Sequence, residues 1–75
     1  MGRLGNISGN DAVKAFERAG WFKVGQVGSH LVMTKPNMRV NLSIPQHKEL
    51  ATGTLRALIR NAGLSIEQFR EFLRK

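Results

Sequence analysis

Apolar residues keep a helical spacing at both ends of this chain and a strand spacing in its middle, and that switch leaves few architectures open. Ala12, Val13, Phe16 and Ala19 follow the three-to-four-residue repeat of a helix face. In the stretch Met38 to Ile44 the repeat becomes two: Met38, Val40, Leu42 and Ile44 alternate with Arg39, Asn41 and Ser43. From Leu55 through Leu58, Ile59 and Ala62 the helical spacing returns. A chain that needs both helix and sheet, with only one face of each apolar, must stack one on the other.

The punctuation divides these runs into six elements. A first helix is predicted over Ser8–Gly20, with Ser8 as its cap, Asp11 in the first turn and Gly20 as its stop. Trp21 opens a strand to about Gln26, with Phe22 and Val24 on one face and Lys23 on the other. After a turn at Val27-Gly28, Ser29 to Lys35 reads as a second strand, in which Leu31 and Met33 alternate with His30, Val32 and Thr34. Pro36-Asn37 is a tight turn into the third strand, Met38 to Ile44. Pro45 ends it, and Gln46 to Ala51 form a polar connection carrying His47 and Lys48. A helix begins at Thr52 or Thr54 and stops at Gly63. Ser65 with Gln68 is a capping-box pattern for a last helix burying Ile66, Phe69 and Leu73. The order is α-β-β-β-α-α: an α+β fold with a three-stranded antiparallel sheet and helices on one face. No repeat, low-complexity segment or linker interrupts residues 1–75, which read as a single domain.

With 75 residues the core is thin, yet 41% apolar residues are enough to fold. The chain has no cysteine, which removes disulfides, thiolate nucleophiles and Cys-based zinc sites. No apolar run approaches a membrane span of about 20 residues, and the N-terminus lacks the apolar stretch of a secretory signal. Met1-Gly2 would suit myristoylation only with Ser or Thr at position 6, which is Asn6. A cytoplasmic protein is expected, with no membrane partner. Twelve Lys and Arg against five Asp and Glu give a formal charge of +7. The partner is then a nucleic acid, an anionic surface or an acidic protein. The cations are scattered along the chain, as on a folded basic surface.

His30 is the leading candidate for chemistry. If Leu31 and Met33 face the helices, His30 stands on the open face of the sheet, just past a glycine that permits close approach of a ligand. Cleaving RNA without a metal requires one group to take the proton of the 2'-hydroxyl and another to protonate the departing 5'-oxygen, and imidazole suits either task. The bland alternative is a surface polar residue. His47 reads as a loop residue bonding to backbone. His30 and His47 lack metal-ligand spacing, Ser29 cannot pair with the adjacent His30, and no phosphate loop occurs. Arg56 and Arg60 read as a solvated helix face, and Arg39, on the open face beside His30, as a phosphate holder. The last two helices have a helix-turn-helix outline, but Glu67 and Glu71 would face phosphates.

Together, the Ser8–Gly20 helix ending in Trp21-Phe22, Gly28-Ser29-His30, Ile44-Pro45-Gln46-His47, Gly53-Thr54-Leu55-Arg56 and Ala62-Gly63-Leu64-Ser65 resemble the HicA (YcfA-like) toxins of toxin–antitoxin systems. The resemblance implies a fold like the double-stranded RNA-binding domain. It also implies a metal-independent ribonuclease acting on messenger RNA, without a cofactor, and a HicB-type antitoxin as inhibitor. On this reading the protein is a monomer alone and a hetero-oligomer with its acidic antitoxin. The family's catalytic histidine falls on His30; Lys23, Lys35, Arg39 and Lys48 are the candidate RNA-binding cations. The chain lacks the Lys-Lys-x-Ala-Lys helix start of duplex binders, which favours single-stranded or loop RNA. A non-catalytic nucleic-acid-binding module, for RNA or as a DNA-binding helix-turn-helix, is the alternative, and an adaptor for an acidic protein a third.

Overall fold

The computed structural model describes residues 4–75; Met1, Gly2 and Arg3, with the Met1-Gly2 dipeptide considered above, lie outside the described residues. The elements are α1 (Gly9–Arg18), β1 (Phe22–Val27), β2 (His30–Thr34), β3 (Leu42–Pro45), α2 (Thr52–Asn61) and α3 (Ile66–Arg74). The sheet is antiparallel in the order β1-β2-β3. The expected α-β-β-β-α-α order and α+β class hold. No helix among the described residues is long and apolar enough to cross a membrane.

Local chemistry sets the helix limits. Ser8 Oγ accepts from Asp11 N at 2.9 Å while Asp11 Oδ2 accepts from Ser8 N at 3.1 Å, so Asp11 completes a capping box. Ser65 and Gln68 do the same for α3, at 3.0 and 2.8 Å. At α2 neither threonine caps: Ala51 is the N-cap and makes no side-chain bond. Gly20 and Gly63 follow α1 and α2 with φ of +103° and +75°, the left-handed geometry that stops a helix.

Leu55, Leu58, Ile59 and Ala62 of the α2 region and Ala12, Val13, Ala15 and Phe16 of α1 are buried with Met33, Leu42 and Ile44 of the sheet. Helices α1 and α2 pack on the sheet, whereas α3 packs on α1 and α2. Phe69 is the fully buried residue of α3; its ring lies 5.1 Å from that of Phe16, tilted by 47°. Ile66 and Leu73, expected inside, are half-buried at the margin of this core. Arg18 Nη1 donates to the Phe72 carbonyl at 2.7 Å, occupying an acceptor that the end of α3 leaves free.

Two strands depart from expectation. The third begins at Leu42 rather than Met38, and Val40 is exposed. Met38 N donates to Lys35 O at 3.2 Å, closing the Pro36-Asn37 turn, and Asn37 takes a φ of +70°. Thr34 alone separates Lys35 from Met33, but Arg39, Val40 and Asn41 separate Met38 from Leu42, the partner of Met33. The surplus on one arm is absorbed as a bend at Arg39 and Val40. In β1, a bulge between Lys23 and Gly25 interrupts the pairing, so the alternation is not continuous along the strand.

Candidate active site

His30 is the first residue of the central strand, held by ladder partners on both sides: Val27 of β1 and Pro45 of β3. Gly28 and Ser29 form the two-residue hairpin loop before it, and Gly28 takes φ +59° at the first loop position, where a primed hairpin turn calls for glycine. Gln46 N donates to Ser29 O at 2.8 Å, fastening the other flank. Met33 is buried and Leu31 half-buried toward the helices, so His30 stands on the opposite, open face, as parity predicted. The side chain is exposed, and its hydrogen-bond partner among the described residues is Ser43, whose Oγ lies 3.3 Å from Nδ1.

The register also sorts the cations. Lys23 opposes Met33 and therefore faces the helices, where its ammonium lies 3.8 Å from Glu17 of α1. Lys35 runs along the same side, its Cε beside Gly20 at the end of α1. Both stand off the open face; Lys35 is also five residues along the chain from His30, roughly 16 Å of strand. Arg39 is exposed in the bend, three residues before β3 begins, and Leu42 already opposes Met33. The expectation that Arg39 sits beside His30 is thus corrected: in this antiparallel pair the start of β3 lies at the Met33 end of β2, whereas His30 pairs with Pro45 at the other end. Lys48 is the candidate that the fold brings to the His30 end, three residues beyond Pro45.

His47 is exposed, and its carbonyl accepts from Gly9 N at 2.9 Å, so the loop is tied by backbone to the start of α1 rather than to α2. Among the described residues, no three His, Asp or Glu side chains come together in a group that could hold a metal ion.

Two features of this face escaped the sequence reading. Ser43 was an outward strand residue without a role; parity put it on the face, but its approach to His30 depends on pairing across thirteen positions. Phe22 opposes Thr34, and Val27 opposes His30, so both stand on the open face, 57% and 73% exposed. Alternation alone would have set these two residues on opposite faces; the bulge puts both on the same one, at the two ends of β1. The site is therefore the His30 imidazole beside the Ser43 hydroxyl, on a sheet face that also carries exposed Phe22 and Val27, with Lys48 in the loop that follows β3.

Among curated proteins, none matches the sequence. A solved chain titled as a toxin–antitoxin complex from Streptococcus pneumoniae is similar, with 36% sequence identity and a TM-score of 0.69, over 77% of this chain and 98% of that one. The family model described as the HicA toxin of bacterial toxin–antitoxin systems matches residues 9–64, from the first residue of α1 to the turn after α2, His30 included. With most of its length matched, including all three strands, the chain belongs to the HicA toxin family.

Proposed function

We propose that this toxin is a metal-independent endoribonuclease that cleaves messenger RNA in the cytoplasm, as a single domain over residues 1–75 and without a cofactor. His30 is its proton-transfer group. An acidic HicB-type antitoxin silences it by covering the open sheet face, so that the protein is a monomer alone and a hetero-oligomer when neutralised. The observation that carries this reading is the exposed imidazole of His30, whose backbone is fixed in the ladder on both sides and which stands on a face that no helix among the described residues covers.

In the proposed reaction the 2'-oxygen of the substrate attacks the adjacent phosphorus as its proton passes to His30, and the bond to the 5'-oxygen breaks, with that oxygen taking up a proton. Lys48, three residues beyond the ladder partner of His30, supplies the cation that offsets charge building on the phosphoryl oxygens. Lys23, Lys35 and Arg39 lie away from His30 and serve only the flanking backbone of the RNA. Exposed Phe22 and Val27 support a protein partner on the same face, since apolar residues grouped on a surface mark interaction sites. The family membership and the toxin–antitoxin title of the similar structure support the same partner.

The test is direct. Purified protein, freed of partner, should degrade messenger RNA in excess EDTA and stop when an acidic HicB-type antitoxin is added. Cleavage that requires an added divalent metal overturns the mechanism. Tight binding without cleavage returns the protein to the class of non-catalytic nucleic-acid-binding modules.

A further inference from the structure

An imidazole can accept a proton only at the nitrogen that lacks one, so a histidine that acts as a base must present the correct tautomer to its substrate. The sheet supplies a means of selecting it. Ser43 opposes Val32 and His30 opposes Pro45, which sets Ser43 and His30 at diagonal positions on the open face. Their closest polar atoms are Ser43 Oγ and His30 Nδ1, 3.3 Å apart. No carboxylate is bonded to the ring among the described residues, so its orientation comes from a neutral partner.

We propose that Ser43 is a positioning residue that accepts a hydrogen bond from Nδ1–H of His30 and so leaves Nε2 unprotonated and facing solvent. The Ser43–His30 contact stands on the geometry alone; the direction of its bond and its use in proton transfer rest on the ribonuclease reading. With the bond in this direction, Nδ1 keeps its proton both in the neutral ring and in the imidazolium formed when Nε2 takes the substrate proton. The Ser43 contact therefore survives the whole step. In the opposite arrangement, with the hydroxyl donating to Nδ1, the neutral ring carries its proton on Nε2. The ring then has no free nitrogen on the outward side.

The experiment is a long-range proton–nitrogen correlation spectrum of partner-free, ¹⁵N-labelled protein, recorded where the imidazoles are neutral, with His47 resolved beside His30. The expected His30 pattern is that of the Nδ1–H tautomer. Ser43→Ala should shift it toward the Nε2–H form that an unrestrained imidazole favours, and Ser43→Thr, which keeps the hydroxyl, should restore it. In RNA cleavage Ser43→Ala should lower kcat about tenfold at unchanged KM, the size of one orienting hydrogen bond, with rescue in Ser43→Thr. An Nε2–H pattern in the wild type, or an identical spectrum in Ser43→Ala, overturns the proposal. An Nδ1–H pattern in a protein that cleaves no RNA supports the positioning by Ser43 and overturns the ribonuclease reading instead.

Discussion

Two glycines in the first turns of helices should respond to the same substitution with opposite signs. Neither Gly9 of α1 nor Gly53 of α2 has a positive φ, so alanine is allowed at both by backbone geometry. A methyl at Gly53 meets nothing within 4 Å, and Gly53→Ala should stabilise by about 0.5–1 kcal/mol through the reduced freedom of the unfolded chain. A methyl at Gly9 would press into the Pro45 carbonyl oxygen and lie 2.9 Å from Gln46 Cα. Those are backbone atoms, which cannot swing aside, and the same contact carries the Gly9 N to His47 O bond. Overpacking typically costs about 1–3 kcal/mol. Because the atoms met are backbone, the cost falls in the upper part of that range, and set against a helix-propensity gain of at most about 1 kcal/mol it leaves Gly9→Ala destabilised by roughly 1–2 kcal/mol. For a domain of this size that is a fall in Tm of roughly 4–16 °C, against a small rise for Gly53→Ala. Thermal unfolding followed by circular dichroism measures both. Pro45 is also the ladder partner of His30, so Gly9→Ala should disturb the site as well as the fold. A Gly9→Ala protein as stable as wild type would refute the close approach of α1 to the end of β3.

Three other outcomes follow from the packing and the charges. Helix α3 lies beyond the residues matched by the family model, yet Phe69 is fully buried against Phe16, so Phe69→Ala should lose about 3–5 kcal/mol in chemical denaturation. His47 meets α1 through its carbonyl, so His47→Gln should retain most cleavage activity and melt within a few degrees of wild type; loss of activity at unchanged Tm would instead make His47 the second proton-transfer group. Lys48→Glu should slow RNA cleavage more than Lys35→Glu in side-by-side rate measurements, because Lys48 is at the His30 end and Lys35 at the other.

The helices and their stops were legible because they rest on local chemistry: caps three residues apart, positive-φ glycines and a stripe on one face. The face of His30 was legible too, since Leu31 and Met33 fix the parity of β2. What the sequence hides is pairing. Nothing local marks the bulge that moves Val27 onto the face of Phe22, or the mismatch between the Pro36-Asn37 turn and the β2–β3 register that keeps Arg39 off the strand. The core residues Leu4, Ile7 and Leu50 lie outside any periodic run. They are buried because the segment before α1 joins the loop after β3, with Leu50 N donating to Ile7 O at 2.8 Å. Ser43 is the same lesson at the site, a neighbour of His30 only through the ladder.

The most direct measurement compares the single-turnover cleavage rate of partner-free wild-type protein with that of His30→Ala, in excess EDTA, with thermal unfolding of both proteins recorded alongside. Removing one positioned proton-transfer group should slow cleavage by about 10²- to 10⁴-fold, while the exposed position of His30 on the sheet leaves Tm within a few degrees. A His30→Ala protein that cleaves RNA at the wild-type rate, or that loses activity only because it unfolds, would contradict the assignment of His30 as the proton-transfer group.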